Sequence, residues 1–398
     1  MKGREEPVRL AHLISHPIQY FAPLYRELSR RPEVDLTVYY YSDATTGAHL
    51  DVGFGREIAW DADLLGGYRS RFLPSSRDVQ PDSGQRRAHL DLLRELASER
   101  YDAIWIHGYA HVANWLAAVV AAATRTKVLL RDEQTLLRPR SWRRRIVKRV
   151  VLSPLFGTSL CLFIGAQNRR HFEHFGARRL FPTPYCVDND YFGLAAARLA
   201  AGRDAIRSAW GLGGAPVVLF AGKLVDYKQP LQLLDAFHRV ASEFPCSLLV
   251  AGDGPLASSF DDAAQALGTK RVVRTGFLNQ TELPRAYAAA DIFVLPSRSE
   301  PWGLVVNEAM NFGLPVVVSD GVGCAEDLVE HGANGFVFAH DDTESLAEAL
   351  RILVRDGDLR ASFGARSRQV VKRYNIARCA SGIVEACLAG CSVSEHMR

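Results

Sequence analysis

PSRSEPWGLVVNEAMNFG, residues 296–313, is the stretch from which the rest of the chain is best read. The apolar run 291–295 ends at Pro296, a polar turn follows, and Leu304, Val305, Ala309 and Met310 set a helical period. Two carboxylates, Glu300 and Glu308, bracket the turn. On one helix eight steps would separate them by about 12 Å, wider than the roughly 5–9.5 Å between the paired carboxylates of a hydrolase. The spacing suits the two ends of one long ligand. Between them the backbone N–H groups of Gly303, Leu304 and Val305 would open a helix, where unpaired donors form an anion site. A structural alternative stands beside this one, with Ser297-x-x-Glu300 as a capping box and Glu308 as a solvated helix residue.

Outward from this stretch, apolar runs of strand length alternate with helical patterns, which predicts parallel sheets built from βαβ units. The clearest strands are 8–15, 34–40, 103–106, 127–130 and 160–164 in the first half, and 217–221, 247–251, 271–275, 291–295, 316–319 and 335–338 in the second. Two such sets predict an α/β fold of two Rossmann-like domains, joined within 190–211. The 398 residues, 48% hydrophobic and 23% charged, suffice for two cores of ordinary globular composition. Seven Cys without a C-x-x-C pair argue for a reducing compartment and against structural zinc. The start mixes charges and runs into a strand, unlike a signal peptide. The uncharged run 150–168 holds Ser, Pro and Gly at its centre and reads as a helix end, a turn and a buried strand rather than a membrane span.

The second half carries further signals. AGKLVDYK places Gly222 and Lys223 after a strand and Lys228 near a helix start, two ammonium groups suited to a diphosphate. AGDGPL supplies Gly252 and Gly254, but Ala257 stands where a dinucleotide fingerprint needs its third Gly, which excludes NAD. RTGFL contributes Gly276 and Phe277. Together with EPWGLVVNE and GCAEDLVEHGANGFVF, these motifs resemble the signature of the retaining glycosyltransferases of family 4, of GT-B fold, across the C-terminal half. That resemblance implies two Rossmann-like domains facing each other across a cleft: an acceptor-binding domain 1–195, a nucleotide-sugar domain 196–375, and a last helix within 376–398 crossing back to the first. It assigns Glu300 to the donor sugar and Glu308 to the ribose. Lys223, Lys228 and the amides of Gly303, Leu304 and Val305 take the diphosphate, Gly222, Gly252 and Gly254 lie close to the nucleotide, and Gly276 and Phe277 meet the base. Asp327 matches a family acid that holds a loop.

In the first half, His16, Gln19 and Tyr20 follow the first strand at the carboxyl edge, where ligands gather in such sheets. They read either as acceptor contacts or as a packed loop; the Gly-rich loop that many family members have here is absent. His107 ends a strand, and the resemblance places it beside the donor sugar. His111, four residues on, shares a helical face with it only if a helix runs through both, and no third metal ligand lies nearby. Asp132 and Glu133 end the next strand, as holders of an acceptor hydroxyl or as an N-cap. Residues 51–74 break the alternation and read as a hairpin or loop. From Arg138 to Arg149 seven Lys/Arg accompany Trp142, Ile146, Val147 and Val150, a basic interfacial helix or a packed surface one. The charge is asymmetric: residues 1–199 carry 29 Lys/Arg against 21 Asp/Glu, and residues 200–398 carry 19 against 23. The basic half suits an anionic membrane or phosphorylated acceptor, and no aromatic-rich basic motif points to nucleic acid.

The expectation is a metal-independent retaining transferase using a UDP- or GDP-sugar and a saccharide or lipid-linked acceptor in polysaccharide synthesis. Its place would be the cytoplasm, peripheral to the membrane. No cofactor is expected, because no acidic triad or D-x-D occurs in the stretches expected to line the cleft. A sugar-nucleotide epimerase, a phosphorylase of the same fold, or a non-catalytic nucleotide-sugar-binding subunit are the alternatives.

Overall fold

The computed structural model describes residues 6–51, 53–74, 76, 86–137, 141–268 and 271–392. Contacts divide the chain into two compact units. Unit 1 holds Met1–His49, Ala62–Tyr185 and Ile376–Arg398; unit 2 holds Leu50–Asp61 and Cys186–Asn375.

Unit 1 is built on a seven-stranded sheet. In chain order the first nine strands are β1 Val8–Ile14, β2 Val34–Tyr40, β3 His49–Asp51, β4 Arg56–Ile58, β5 Ser70–Phe72, β6 Ala103–His107, β7 Lys127–Arg131, β8 Leu160–Phe163 and β9 Arg179–Pro182. The sheet runs β5-β2-β1-β6-β7-β8-β9, while β3 and β4 pair separately. All recorded pairings in the large sheet are parallel, with Leu10 opposite Ala103 and Val8 opposite Val34. Buried on both faces, β1 and β6 are near-continuous apolar runs, as central parallel strands must be. Leu13, Ile104, Leu130, Phe156 and Phe172 share one core cluster. The last helix, Ile376–Ser392, packs in this unit: Arg179 donates to the Ala389 carbonyl at 2.9 Å, and Arg131 Nη1 lies 3.3 Å from Cys379 Sγ.

Unit 2 carries β10 Val217–Ala221, β11 Ser247–Ala251, β12 Val272–Gly276, β13 Ile292–Leu295, β14 Val316–Ser319 and β15 Gly335–Phe338, in the order β12-β11-β10-β13-β14-β15. Its pairings are likewise parallel. The helix Pro230–Glu243 lays Leu233, Leu234, Phe237 and Val240 into the core at helical spacing.

Three departures from the sequence reading have local causes. β5 and β9 were not expected; both are sheet edges of three and four residues, too short to show a period, and β9 ends in a proline that an edge tolerates. The stretch 190–211, expected to hold the join, carries the helices Asn189–Ala200 and Arg203–Ala209 and lies wholly within unit 2. Asp188 caps the first of these helices by accepting from the Tyr191 N–H at 3.0 Å, and Asn189 Nδ2 donates to the Val371 and Tyr374 carbonyls at 3.2 and 3.0 Å. Those bonds draw Cys186 onward into unit 2, ten residues before the expected boundary after residue 195. Lastly, Leu50–Asp61 groups with unit 2 although the chain on either side of it belongs to unit 1.

Candidate active site

In an open parallel sheet the ligand crevice forms where the strand order reverses direction. In unit 2 that point lies between β10 and β13. The two loops leaving it are 222–229 and 296–303, which carry Lys223, Lys228 and Glu300. Lys228 Nζ stands 2.7 Å from Glu300 Oε2, with the two side chains 13% and 16% exposed. The contact is an ion pair by distance, and beyond it the buried Glu300 Oε2 has no hydrogen-bond partner among the described residues.

The Glu300 loop is clamped from both sides. The Glu300 N–H donates to the Gly321 carbonyl at 3.0 Å, its carbonyl accepts from Gly323 at 2.9 Å, and Arg298 N–H reaches the Tyr227 carbonyl at 2.8 Å. The helix Leu304–Asn311 then starts from Gly303 at φ +95°, a left-handed conformation that disfavours a side chain. A Cβ there would approach Leu295 Cδ2 to 2.9 Å. This start excludes the capping box: Ser297 lies seven residues before the helix, and its buried hydroxyl has no partner. Among the described residues, the N–H groups of Gly303, Leu304 and Val305 meet no acceptor, as an anion site requires.

Glu308 is not a solvated helix residue either. It is fully buried, and Tyr287 OH donates to its Oε2 at 2.7 Å. Trp302 Nε1 donates to Asn307 Oδ1 at 2.9 Å beside it. Asp327 accepts from Tyr374 OH at 3.2 Å, which ties the following loop to the chain's later helices.

Lys223 Nζ is held by a residue the sequence did not single out. Asp51 takes it with both carboxylate oxygens, at 2.8 and 3.0 Å, from the tip of the hairpin formed by β3 and β4. Burial alone would raise the Asp51 carboxyl, but the Lys223 bond and charge and the Phe54 and Gly53 amides hold it below its ordinary value. Gly252 and Gly254 allow close approach, though here of the chain's own backbone: Gly252 backs onto the Gly222 carbonyl, and a Cβ on Gly254 would lie 2.7 Å from the Leu224 carbonyl oxygen. Gly276 ends β12, and the Phe277 ring meets Phe54 edge-on at 4.8 Å.

Unit 1 reverses its strand order between β1 and β6. His16, Gln19 and Tyr20 follow β1, all partly buried, with Ser15 Oγ 2.9 Å from His16 Nδ1. His107 ends β6. Its Nε2 is 3.7 Å from Glu133 Oε1, its Nδ1 is buried without a hydrogen bond, and Phe21 packs edge-on at 5.1 Å. Tyr185 OH donates to Glu133 Oε1 at 2.5 Å. Burial pushes Glu133 upward, yet His107, Tyr185 and Arg131 together hold it below the usual carboxylate range. Arg131 is itself buried between the rings of Phe21 and Tyr185. Asn114 fixes the loop after β6 by donating to the His107 and Gly108 carbonyls at 2.9 and 3.0 Å. His111 caps the helix Val112–Thr124, so it shares no helical face with His107. Among the described residues no group of three or more His, Cys, Asp or Glu has metal-site geometry.

The acid pair ending β7 divides in role. The next helix begins only at Trp142, so neither Asp132 nor Glu133 is an N-cap. Asp132 is buried, accepting from Asn168 Nδ2 at 2.7 Å and Gln134 N–H at 3.1 Å. Burial pushes its carboxyl up to about 7. Arg131, Asn114, Asn168, Tyr185 and Tyr287 escaped the sequence reading: Asn114 and Tyr287 are lone polar residues among apolar ones, as at ordinary core positions, and Arg131, Asn168 and Tyr185 meet their partners only through the fold.

Residues 202–370 match the glycosyl transferases group 1 family. The chain is 35% identical over 163 residues to a sulfoquinovosyl transferase, SQD2, of Arabidopsis thaliana, covering 40% of this chain and 31% of that protein. It is 30% identical over 226 residues to a GDP-mannose-dependent alpha-(1-6)-phosphatidylinositol monomannoside mannosyltransferase of Mycobacterium tuberculosis, covering 54% of this chain and 57% of that one. The matched part is thus from about a third to just over half of these relatives' length. The crystal structure of Anabaena Alr3699/HepE in complex with UDP and glucose superposes with TM-score 0.69 over 96% of this chain and 100% of that one, at 17% identity. The expected fold class, two Rossmann-like domains of GT-B kind, holds.

Two outcomes follow from the buried acids. Tyr287→Phe strips a donor from a fully buried carboxylate and should lower unfolding stability by about 1–3 kcal/mol in denaturant titration; unchanged stability would place the carboxylate's support elsewhere. Asp132 has its carboxyl raised on folding, so its favourable contribution is complete below about pH 4 and is lost as pH rises to about 7. Lys148, Glu133 and His171 face it. The stability of Asp132→Asn relative to the parent should therefore rise across that window and level off above it, read by thermal melts at several pH values.

Proposed function

We propose that the chain is a retaining glycosyltransferase of family 4 that moves a sugar from a UDP- or GDP-sugar to a saccharide or lipid-linked acceptor. The observation that carries this reading is the convergence at the β10/β13 reversal. Two ammonium groups and a clamped carboxylate lie on the two loops that leave it, and three N–H groups without acceptors open the helix that follows. A leaving diphosphate needs exactly such preorganised positive charge, worth most where water is partly excluded. Lys223 and Lys228 supply the cations, and the amides of Gly303 to Val305 the dipoles. Glu300 is assigned to hydroxyls of the transferred sugar and Glu308 to the ribose. The group 1 match and the fold shared with a protein solved with UDP and glucose support a nucleotide-sugar donor.

In unit 1, His107 is assigned to the sugar, and His16, Gln19, Tyr20 and Glu133 to acceptor hydroxyls. Glu133, kept ionised by His107 and Arg131, is suited to accept a hydrogen bond. The resemblance to the retaining enzymes of family 4 favours front-face displacement, in which the departing phosphate oxygen receives the acceptor proton, and the proposed reaction needs no metal.

The basic helix bears on where the acceptor is met. In Trp142–Thr158, Leu152 and Phe156 are buried, while Trp142 and Val150 are 66% and 70% exposed and Ile146, Val147 and Val151 lie open beside them. Arg143, Arg144, Arg145 and Arg149 are exposed around this apolar face. Lys148 turns inward to His171 Nε2 at 3.0 Å, so it is not part of that ring; Arg138 and Arg140 lie outside the described residues. Among the described residues no helix is long and apolar enough to cross a membrane. The reading is a peripheral enzyme at the cytoplasmic face of a membrane, held by this helix and acting on a lipid-linked acceptor.

Glu300→Gln should depress turnover about tenfold or more with little change in nucleoside diphosphate affinity, because its contact is to the group that develops charge. Glu308→Gln should weaken that affinity instead. Calorimetry with UDP and GDP beside a donor-turnover assay separates the two, and equal loss of binding in both variants contradicts the assignment. Turnover should also survive EDTA; loss restored by magnesium would refute the metal-free reading.

On vesicles, each exposed arginine should add about 1 kcal/mol at an anionic surface. The protein should co-sediment with phosphatidylserine-containing vesicles at low salt, not with phosphatidylcholine alone. Replacing Arg143, Arg144 and Arg145 by Glu should release it. Failure of the parent protein to bind would make this helix a surface element only.

A further inference from the structure

The hairpin Leu50–Asp61 touches every loop that leaves β10, β11 and β12. At its tip, Asp51 holds Lys223 after β10 with two bonds, and the Lys223 ammonium sits 4.8 Å from the Phe54 ring centre. A Cβ on Gly53 would lie 2.6 Å from Lys223 Nζ, and one on Gly254, after β11, would lie 3.1 Å from the Gly53 carbonyl oxygen. Arg56 Nη1 is 3.8 Å from Asp253 Oδ2. Phe54 and Trp60 pack edge-on against Phe277 after β12, at 4.8 and 6.1 Å. At the hairpin's far end, Asn279 Nδ2 donates to the Ala59 carbonyl at 2.6 Å, and the Thr281 N–H donates to Asp61 Oδ2 at 3.2 Å. These three loops are the edge that the functional reading assigns to the nucleotide.

We propose that this hairpin is a latch on the donor-phosphate site: Asp51 occupies the place on Lys223 that a donor diphosphate takes, so that donor binding exchanges one anion for the other. The proposal rests on the reading of unit 2 as the nucleotide-sugar site.

Four features make the hairpin fit that role. Its carboxylate presents two oxygens to one ammonium, the arrangement a phosphate would offer, and a second anion brought to the same ammonium is repelled by the first. The carboxyl is kept ionised by the groups around it. The strands His49–Asp51 and Arg56–Ile58 are three residues each, and a lone two-stranded hairpin of that size is at best marginal in water. Its position therefore depends on the contacts at its tip and far end. The tip is prefolded for the exchange: Asp51 Oδ1 also accepts from the Gly53 and Phe54 amides at 2.8 and 3.0 Å, so the carboxylate reaches Lys223 from a closed turn.

A residue that merely orients Lys223 toward phosphate would act with the opposite sign, which gives the test. Asp51→Asn keeps an acceptor oxygen for the turn and removes the charge. UDP and GDP are titrated calorimetrically into the full chain and into this variant, with uridine and guanosine as phosphate-free controls. The diphosphate that the parent binds should bind the variant about tenfold tighter, a gain of about 1.4 kcal/mol, with the nucleoside unchanged. Asp61→Asn, which frees the far end and leaves Lys223 untouched, should tighten it in the same direction by less, and a thermal melt shows that each variant is folded. Equal or weaker diphosphate binding by Asp51→Asn, with the parent binding normally, overturns the latch alone. Absence of diphosphate binding by the parent and by both variants overturns the nucleotide-site reading and the latch with it.

Discussion

The loop that carries Glu300 is the constraint on which the rest of the candidate site depends. It lies against 321–324, with hydrogen bonds on both sides of Glu300, and it must turn directly into the helix Leu304–Asn311. Gly303 makes that turn possible, since its left-handed φ and the 2.9 Å approach of Leu295 leave no room for a side chain. From that turn follow the N–H groups of Gly303 to Val305 and the inward face of the helix that buries Glu308. The Lys228–Glu300 pair completes the loop, with both side chains less than a fifth exposed. Desolvating two charges costs about as much as their attraction returns, so such a pair is weak evidence for stability. Its placement at the sheet's reversal point accounts for it better as part of a site.

Both units repeat one arrangement with different chemistry. Each places its polar groups at the reversal of strand order, yet unit 2 gathers lysines with carboxylates while unit 1 gathers His107, Glu133, Tyr185 and Arg131 within an aromatic surround. Lysines are compact point charges suited to a diphosphate. Histidine, tyrosine and carboxylate are the residue types that read hydroxyls. The division is what the proposed donor and acceptor roles call for; the group 1 match falls wholly on residues 202–370, within unit 2.

Much of this was legible in the sequence, for reasons that differ by element. The strands β10, β11 and β14 were read to the residue because buried parallel strands are near-continuous apolar runs between turn residues; β2 and the edge strand β15 were read to the residue as well. Edge strands such as Ser70–Phe72 lack that pattern. Lys223, Lys228, Glu300 and Glu308 were singled out from their positions after strands and around a turn, together with the family resemblance. Their partners were not: Asp51 lies 172 residues before Lys223, and Tyr287 lies 21 before Glu308, separations that no local period encodes. The structural alternative for Ser297 and Glu308 was reasonable from spacing, and it failed because Gly303 delays the helix start and Glu308 faces inward.

The central claim is that the carboxyl edge of unit 2 is a nucleoside diphosphate site built on two lysines. Thermal melting of the full chain with UDP, GDP and the corresponding nucleosides tests it most directly. At one hundred times its dissociation constant, the right diphosphate should add roughly 2.7 kcal/mol of stability. The nucleoside should add less, and Lys228→Ala should remove most of the diphosphate's effect. No shift with either diphosphate, or an equal shift in Lys228→Ala, would contradict the account.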